Sequence, residues 1–404
     1  MDRVEVVAGR PLRGGGCAVV VDGRRGAVRH ALPGERVRAV VTSREPLRLD
    51  AVDVLEPSPD RVEEPCPYAK PGRCGGCDWQ HAALPAQRRL KGELVSALLG
   101  RDVTVEAVPV PGRPDDGLGW RTRVQFAVTE EGALGLYRHR SNDVQPLDRC
   151  LIASDGVESV GAEALRWPVA ERVEVVAGSS GDRAVVVTPR RRGARVGAAV
   201  ADDVSVLRGD DRGGAEGVRG RPGVREVAAG RSWWVSGSGF WQSHVAAPDT
   251  LVAAVLGALL PEPGDVALDL YAGVGLFAGA LAPRVKRVLA VESSGPACAD
   301  ARQNLRDLRN AEVHEGRVDA VLARLGLGRA DLVVLDPPRD GAGPAVMAAV
   351  AALRPRRVAY VSCDPASLAR DLRAVEGYVA TDVRAFDLFP MTWHVECVAL
   401  LEPA

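Results

Sequence analysis

The chain has 404 residues, of which 46% are hydrophobic and 26% are charged. This composition is typical of a folded globular protein and excludes a disordered, collagen-like or coiled-coil chain. Because this length exceeds what one hydrophobic core usually holds, we expect two or three domains. The longest apolar runs, residues 251–260 and 346–353, are too short to span a bilayer, and the charged N-terminus does not resemble a signal peptide. We therefore expect a cytoplasmic protein that does not contact membranes.

The distribution of charge is more informative than the net charge of −1. A balance so close to zero argues against a uniformly basic surface for nucleic acid. Residues 1–50, however, carry a net charge of +4, whereas residues 241–404 carry −4. This asymmetry favours a polyanionic partner that is bound locally, by the N-terminal part of the chain.

The first 60 residues alternate short apolar runs with turns that contain glycine or proline. Four of these runs have the length and composition of β-strands: residues 4–7, 18–21, 37–41 and 51–55. The pattern predicts a small five-stranded barrel similar to an OB fold. The alternative is a β-rich N-terminal subdomain that binds no ligand.

The next segment contains three closely spaced cysteines, Cys66, Cys74 and Cys77. In a chain of this length without a signal peptide, a disulfide framework is disfavoured, and metal ligation or catalysis are the alternatives. We interpret Cys17 and Cys298 as buried small apolar residues, together with Cys397.

A helix is predicted over residues 85–99, with Gly100 as its C-terminal stop. Residues 118–240 have a mixed, β-rich pattern, and within them residues 208–223 contain almost no apolar side chain. This stretch predicts a surface loop.

From about residue 245 the pattern changes to alternating strands and helices. Four apolar runs have the length of buried strands, at residues 266–270, 287–291, 332–335 and 358–361. Helical patterns follow at residues 295–308, 344–353 and 367–375, and two further strands are predicted at residues 379–386 and 395–401. This alternation predicts a parallel, doubly wound α/β sheet.

A glycine-containing turn directly follows the first of these strands, with Gly273 and Gly275 two residues apart. Glycines at this point let the backbone approach a ligand closely, and Glu292, which ends the next strand, could accept hydrogen bonds from both ribose hydroxyls. The pattern indicates a pocket for a nucleoside cofactor. A turn that serves only packing would carry a similar G-x-G sequence.

The sequence Asp-Pro-Pro-Arg at residues 336–339 ends the third strand. The prolines stiffen the turn and leave the Asp336 carboxylate facing the cleft. Methyltransferases that act on exocyclic amines of adenine or cytosine carry an aromatic residue where this chain has Arg339, which argues against that chemistry. The alternative is a strand-ending turn in which Asp336 acts as a cap.

Two further motifs combine a nucleophile with a carboxylate. Cys363 lies at a strand end and precedes Pro365, the expected first residue of a helix whose dipole would favour the thiolate. Glu396 leads into the last strand and is expected to return to the same sheet edge. Such a pair suits base-promoted covalent catalysis. The alternatives are an inert buried cysteine and a solvated carboxylate.

These motifs resemble the RNA uracil-C5-methyltransferase family, and the resemblance covers nearly the whole chain. It rests on Ser-Cys-Asp-Pro at residues 362–365, on His-Val-Glu at residues 394–396, and on residues 31–37 and 58–62 in the N-terminal part. The resemblance implies a multidomain α/β protein. Its implied parts are an RNA-binding TRAM barrel (1–58), a mixed α+β central domain with the cysteine cluster (59–240) and a Rossmann-like class I methyltransferase domain (241–404).

By this resemblance, Cys363 is the nucleophile that adds to C6 of a uracil, and Glu396 is the general base that removes the C5 proton. S-adenosyl-L-methionine is the implied methyl donor, and four residues are its implied contacts: Gln242, Tyr271, Glu292 and Asp336. Two positions at which the family often has asparagine differ here, since the chain has His244 and Leu276.

The resemblance also implies a role for the cysteines. Members that act on large-subunit rRNA commonly hold a 4Fe–4S cluster, and the four matching residues are Cys66, Cys74, Cys77 and Cys150. Four thiolates could equally hold zinc. The spacing alone does not choose between them, and the resemblance favours the 4Fe–4S cluster.

The implied substrate is RNA, with 23S rRNA favoured over tRNA because the tRNA-specific branch generally lacks the barrel and the cysteine cluster. The alternatives are C5 methylation of tRNA uridine-54 and a non-catalytic RNA-binding scaffold. Arg121, Arg123, Tyr137 and Arg138 are candidate RNA contacts, although a solvated basic strand face would look the same. We expect the protein to be a monomer.

Overall fold

The computed structural model describes residues 3–197, 199–210 and 214–404. Its first five strands are β1 (Arg3–Val7), β2 (Cys17–Val21), β3 (Arg24–Arg29), β4 (Arg36–Arg44) and β5 (Leu47–Glu56). They form one sheet in the order β1-β4-β5-β3-β2, with β1 and β2 at its ends. Alternate residues such as Val19, Val37 and Leu49 point into a small core. The sequence predicted four of the five strands, and β3 was missed because its arginines and glycine carry little strand signal.

The helix after the cysteine segment, α1 (Leu84–Leu99), agrees with its prediction. Pro85 lies in its first turn, and Gly100 ends it in the left-handed conformation with φ of 68°. It leads into the short strand β6 (Val105–Ala107). Although β6 comes early in the chain, it pairs with a strand near the C-terminus and joins the large sheet described below.

The middle of the chain forms a seven-stranded sheet and a hairpin. Their elements are β7 (Arg123–Val128), β8 (Leu134–Tyr137), β9 (Val144–Pro146), α2 (Asp155–Glu158), a 3₁₀ turn (Ala162–Ala164), β10 (Ala170–Ala177), β11 (Arg183–Pro189), β12 (Val204–Gly209), β13 (Ala215–Arg219), β14 (Gly223–Ala228) and β15 (Arg231–Ser236). The sheet order is β13-β12-β11-β10-β7-β8-β9, and β14 pairs with β15. The loop predicted over residues 208–223 includes residues 211–213, which lie outside the described residues. For the described part the prediction was wrong, because β13 occupies some of it and pairs with β12 at the sheet edge.

The C-terminal part alternates strands and helices as predicted. Its elements are α3 (Ala247–Leu259), β16 (Val266–Leu270), α4 (Leu276–Leu281), a 3₁₀ turn (Ala282–Arg284), β17 (Arg287–Glu292), α5 (Gly295–Asn304), β18 (Ala311–Glu315), α6 (Val318–Leu325), β19 (Leu332–Leu335), α7 (Gly343–Ala352), β20 (Arg357–Ser362), α8 (Pro365–Ala374), β21 (Tyr378–Asp387) and β22 (Glu396–Pro403). These strands and β6 form one sheet in the order β18-β17-β16-β19-β20-β22-β21-β6.

The strands β18, β17, β16, β19 and β20 are parallel, whereas β22 runs antiparallel to β20 and to β21. Apolar residues cover both faces, as expected for a doubly wound sheet between helices. Because parallel strands all end at the same edge, the loops that follow them gather there. Among the described residues, no helix is long and apolar enough to cross a membrane.

Candidate active site

The predicted motifs meet at the carboxyl edge of the eight-stranded sheet. The strands β16, β17, β19 and β20 end at Leu270, Glu292, Leu335 and Ser362, and each motif begins at or just beyond one of these ends. The backbone N–H of Asp336 donates to the carbonyl of Leu270 at 3.2 Å, which joins the Asp-Pro-Pro turn to the glycine turn. The sheet topology therefore brings together segments that are up to 100 residues apart.

The glycine turn has the shape of a ligand-binding turn. Gly273 and Gly275 have φ of 54° and 91°, which favours glycine at both positions. A Cβ atom placed on Gly273 would have no neighbour within 4 Å, so the turn borders open space. The Gly273 N–H donates to Glu292 Oε2 at 3.0 Å, and the Ser294 N–H donates to Oε1 at 2.7 Å. Glu292 therefore lies against the turn.

Two carboxyl groups, the buried Asp269 and the half-buried Asp336, lie near this turn. Asp269 is fully buried, its Oδ2 accepts from the Ala278 N–H at 2.7 Å, and its Oδ1 has no hydrogen-bond partner among the described residues. Burial raises the pKa of Asp269 to about 7 and the pKa of Asp336 to about 7. The amide of Gln242 donates to Asp336 Oδ2 at 3.3 Å. Open space lined by glycine backbone and carboxyl oxygens fits a ligand that donates hydrogen bonds, such as a nucleoside.

Tyr271 and the two positions that differ from the family, His244 and Leu276, pack against neighbouring residues. Tyr271, half-buried with φ of 65°, packs against the apolar cluster on one sheet face. His244 is buried and stacks on Trp120 with ring centroids 5.9 Å apart, and its Nδ1 accepts from the Ala246 N–H at 3.0 Å. Leu276 begins α4 and packs in the core. The two unusual positions therefore lie in packed surroundings, and burial lowers the pKa of His244 to about 4.

The strand register brings Cys363 and Glu396 next to each other. In the antiparallel pair of β20 and β22, Ser362 lies opposite Cys397. Continued by one residue on each strand, the same register places Cys363 beside Glu396, so a thiol and a carboxyl group face the same point of the edge. Cys363 is half-buried, whereas Glu396 is 3% exposed.

The electrostatics of this pair differ from the sequence-based expectation. Burial, followed by the neighbouring Glu396 and Asp336 carboxyl groups, raises the pKa of the Cys363 thiol to about 12, and Arg339 opposes them. Burial and Asp336 likewise raise the pKa of Glu396 well above its usual range. Burial and the two carboxyl groups therefore oppose the stabilisation of the thiolate that the helix dipole is expected to provide.

The segment before Glu396 is held by side chains that the sequence analysis did not identify. Fully buried Lys91 on α1 donates to Asp387 Oδ1 at 2.5 Å and to the Phe389 carbonyl at 3.0 Å. Gln87 accepts from the Met391 N–H at 2.8 Å. A signal was available, since the spacing of Lys91 from Val95 puts it on the apolar face of the predicted helix.

The four cysteines predicted to bind metal influence one another. The pKa of Cys77 is raised above its usual range by burial and then by repulsion from Cys150, Cys74 and Cys66. The Gln80 amide donates to Cys77 Sγ at 3.2 Å, and the Gly76 N–H donates to Cys74 Sγ at 3.4 Å. Within the described residues, no group of three or more histidine, cysteine, aspartate or glutamate side chains is arranged to hold a metal ion.

The predicted RNA contacts separate into two groups. Tyr137 and Arg138 are exposed at the end of β8. Arg123 is buried, donates to the Gly239 carbonyl at 2.5 Å and lies 3.8 Å from Glu174, so its prediction as an RNA contact was wrong. Arg121 donates to the carbonyl of Arg123 at 2.9 Å and is partly exposed.

Comparison with known proteins agrees with this site. A family model described as tRNA (Uracil-5-)-methyltransferase matches residues 236–404. An uncharacterized RNA methyltransferase of Streptomyces coelicolor is 51% identical over all of this chain and 93% of its own length. The 23S rRNA (uracil(1939)-C(5))-methyltransferase RlmD of a Shewanella species is 30% identical, over 93% of this chain and 90% of its own length.

A solved structure shows the same fold. The tRNA (uracil-54, C5)-methyltransferase of Pyrococcus abyssi, in complex with S-adenosyl-L-homocysteine, superposes with a TM-score of 0.74 at 23% identity, over 98% of this chain and 99% of that one. The fold and the carboxyl-edge site define an S-adenosylmethionine-dependent methyltransferase. The chain belongs to the RNA uracil-C5-methyltransferase family.

Proposed function

We propose that this protein methylates C5 of a uridine in 23S rRNA, with Cys363 as the nucleophile and Glu396 as the general base. The observation that carries the proposal is the register of β20 and β22, which puts Cys363 and Glu396 side by side at the carboxyl edge. The carboxyl group of Asp336 lies within electrostatic reach of both residues. A nucleophile and a base at one point of the cleft are what covalent catalysis on a uracil ring requires.

The proposed reaction proceeds through a covalent adduct between Cys363 and C6 of the uracil ring. Uracil C5 is a poor nucleophile, and addition of the Cys363 thiolate to C6 produces an enolate that is nucleophilic at C5. After C5 is methylated, Glu396 removes the C5 proton, the C5–C6 double bond re-forms, and the Cys363 thiolate leaves C6. Because the ring must be reached from its face, the target base has to be flipped out of its RNA.

Protonation states at this edge must change before the reaction starts. Burial raises the pKa of Cys363, Glu396 and Asp336, and neighbouring carboxyl groups raise it further for Cys363 and Glu396, so these two favour their uncharged forms. When bound, S-adenosylmethionine supplies the methyl group and a positive sulfonium, whose charge favours the ionised forms. Arg339, which lowers the pKa of Cys363 and of Glu396, acts in the same direction.

Four residues are proposed to hold this cofactor: Gln242, Tyr271, Glu292 and Asp336. Glu292 has lone pairs free for ribose hydroxyls beside its two backbone donors. Gln242 and Asp336 are hydrogen-bonded to each other. The open space in front of Gly273 and the unpartnered Asp269 Oδ1 support a ligand at this point.

We also propose that the sheet of β1–β5 is the RNA-binding barrel of residues 1–58, followed by a central domain to residue 240 and the methyltransferase domain from residue 241. The net charge of +4 over residues 1–50 supports contact with RNA phosphates. The relative named as a 23S rRNA methyltransferase is 30% identical to this chain, whereas the tRNA methyltransferase of Pyrococcus abyssi is 23% identical, and this difference supports 23S rRNA over tRNA.

A 4Fe–4S cluster is the proposed ligand of Cys66, Cys74, Cys77 and Cys150. The other three cysteines raise the pKa of Cys77, which indicates that the four sulfurs lie near one another, and N–H donors are directed at two of them; both features suit a group of iron ions that stabilises thiolates. Protein purified without oxygen should contain about four irons per chain, and Cys74→Ser should lose them together with the visible absorption. One zinc per chain and no iron would replace the cluster by the zinc site.

The decisive experiment for the reaction combines purified protein with methyl-labelled S-adenosylmethionine and total RNA that lacks 5-methyluridine. Nucleoside mass spectrometry of separated 23S rRNA and tRNA then locates the product. We expect labelled 5-methyluridine in 23S rRNA and none with Cys363→Ser. Product confined to tRNA would transfer the proposal to that substrate, and no product in either RNA would refute it.

A further inference from the structure

A loop of the N-terminal sheet reaches the catalytic edge. The loop of residues 12–16 connects β1 and β2, and the guanidinium of Arg13 forms an ion pair with Asp364, the residue next to Cys363. The same guanidinium lies over the Trp393 ring, 5.8 Å from its centroid. One side chain therefore touches both segments of the proposed active site, although it lies about 350 residues away in sequence.

Asp364 orders the turn that carries Cys363. Its Oδ1 accepts from the N–H groups of Ala366 and Ser367 at 2.8 and 3.0 Å and so caps α8, while Oδ2 is bound by Arg13. The Ser362 hydroxyl also bonds to the backbone of Asp364. Arg13 thus completes the hydrogen bonding of the residue that fixes the nucleophile turn.

Trp393 belongs to the segment that leads to Glu396. Its ring lies 4.4 Å from the ring of His394, and its backbone N–H donates to Asp78 Oδ2 at 3.4 Å. A guanidinium over the face of an indole ring is attracted to it by the quadrupole of the ring. Through Trp393, Arg13 also restrains the start of β22.

The loop that carries Arg13 is itself anchored. The Trp79 indole N–H donates to the Gly15 carbonyl at 2.9 Å, and the Leu12 N–H donates to the Gly16 carbonyl at 2.7 Å. A Cβ on Gly15 would lie 2.4 Å from Asp78, so the loop is packed closely against the segment after Cys77. Because this loop is anchored, it can hold the Arg13 side chain in a fixed position, which a flexible loop could not do.

We propose that Arg13 is a positioning residue, which holds the Cys363 turn and the Trp393–Glu396 segment in their reactive arrangement from the N-terminal sheet. The inference rests on the proposed function for its effect on catalysis. The N-terminal sheet then has a second role beside RNA binding. The Arg13 side chain is 48% exposed, and after its removal Asp364, which is 15% exposed, still accepts from the N–H groups of Ala366 and Ser367.

The test compares Arg13→Ala and Arg13→Lys with Arg10→Ala in the full chain. Arg10 lies in the same connection, is exposed, and forms no side-chain hydrogen bond or ion pair with the described residues. We expect Arg13→Ala to lower kcat about 10- to 100-fold with little change in KM, because misplaced reacting groups slow the chemical step. Arg13→Lys should regain most of the loss, and Arg10→Ala should retain wild-type kcat.

Backbone hydrogen exchange of the protein without RNA supplies the second readout. In Arg13→Ala we expect faster exchange in peptides that cover residues 362–368 and 391–396, with the urea midpoint unchanged. Unaltered exchange combined with a raised KM and normal kcat would overturn the proposal and make Arg13 an RNA contact. If wild-type protein forms no 5-methyluridine, the proposed function fails, and the exchange data alone still decide whether Arg13 holds the two segments.

Discussion

The two segments that carry Cys363 and Glu396 are held in place in different ways. The Cys363 turn is held chiefly by its own neighbours, since it follows β20, precedes α8 and has its cap, Asp364, within three residues of the capped N–H groups. The segment that leads to Glu396 is held from α1, because Lys91 and Gln87 contact residues about 300 positions away. One segment is determined locally and the other by tertiary contacts.

Substitutions should therefore disturb the geometry of the two segments in different ways. A local turn loses its geometry when one of its own residues changes, whereas a segment clamped from a distant helix depends on the packing of that helix. The Lys91–Asp387 pair is the distant contact whose loss should cost most, because breaking a fully buried pair leaves a buried charge without its partner. The predictions below test each side of this contrast.

The largest effect is expected at the nucleophile. Cys363→Ser should lower 5-methyluridine formation by at least about 10⁴-fold, because a serine hydroxyl is far less nucleophilic than a thiolate. RNA binding, measured by filter retention, should stay within about twofold of wild type because the contacts with phosphates do not involve this side chain. Substantial residual product would mean that Cys363 is not the nucleophile.

The protonation of this nucleophile can be measured by alkylation. With a pKa of about 12, the thiolate fraction of Cys363 should rise about tenfold per pH unit between pH 7 and 10 in the protein without ligands. Peptide mass spectrometry of iodoacetamide-treated protein measures this rate at Cys363 itself. Glutathione in the same tube provides the control, and a plateau at Cys363 near pH 9 would contradict the proposed surroundings.

At the base, Glu396→Gln should lower product formation about 10³-fold and accumulate a covalent protein–RNA adduct. The adduct forms because the amide cannot remove the C5 proton that must leave before the thiolate is eliminated. Denaturing gels with labelled RNA detect it. The double variant with Cys363→Ser should form none, and its appearance there would exclude Cys363 as the attachment point.

The contacts between Lys91 on α1 and the segment before Glu396 should contribute to the free energy of unfolding. Lys91→Met leaves the buried Asp387 without its closest partner and should lower the free energy of unfolding by about 3 kcal/mol, the lower end of the usual range, because Arg88 lies 3.3 Å from the same carboxylate. Urea denaturation measures the change. Adding Asp387→Leu should recover most of the loss, and no recovery would mean that packing of the lysine chain matters more than its charge.

The smallest effect is expected at the local cap. Asp364→Ala removes the cap of α8 and should lower the free energy of unfolding by about 1 kcal/mol, together with the methylation rate. Ser294→Ala, which removes the cap of α5 beside Glu292, is the matched control; with rates measured at saturating S-adenosylmethionine, it should lower stability without a comparable loss of rate. Equal losses of rate in both variants would show that the Asp364 cap has no special relation to Cys363.

Much of the fold could be predicted because its signals are local. The strands at residues 266–270 and 332–335 agree with β16 and β19 at both ends, since each is a short apolar run between turn residues. The predictions failed where contacts with neighbouring strands and loops determine the structure. The polar strand β13 exists because β12 offers it an edge, and Arg123 is buried because β10 and the Gly239 loop cover it.

The sequence by itself determined the alternation of strands and helices, the glycine turn before Leu276, and the emergence of Cys363 at a strand end, because each depends on residues within a few positions. The sequence also predicted that Glu396 returns to the edge where Cys363 emerges. Only the tertiary structure decided that Lys91 holds the segment before Glu396 and that Arg13 reaches Asp364. The tertiary structure also decided the charge at this edge. The pKa of Cys363 depends on burial and on the carboxyl groups of Glu396 and Asp336, which come from distant parts of the chain and which no local pattern contains.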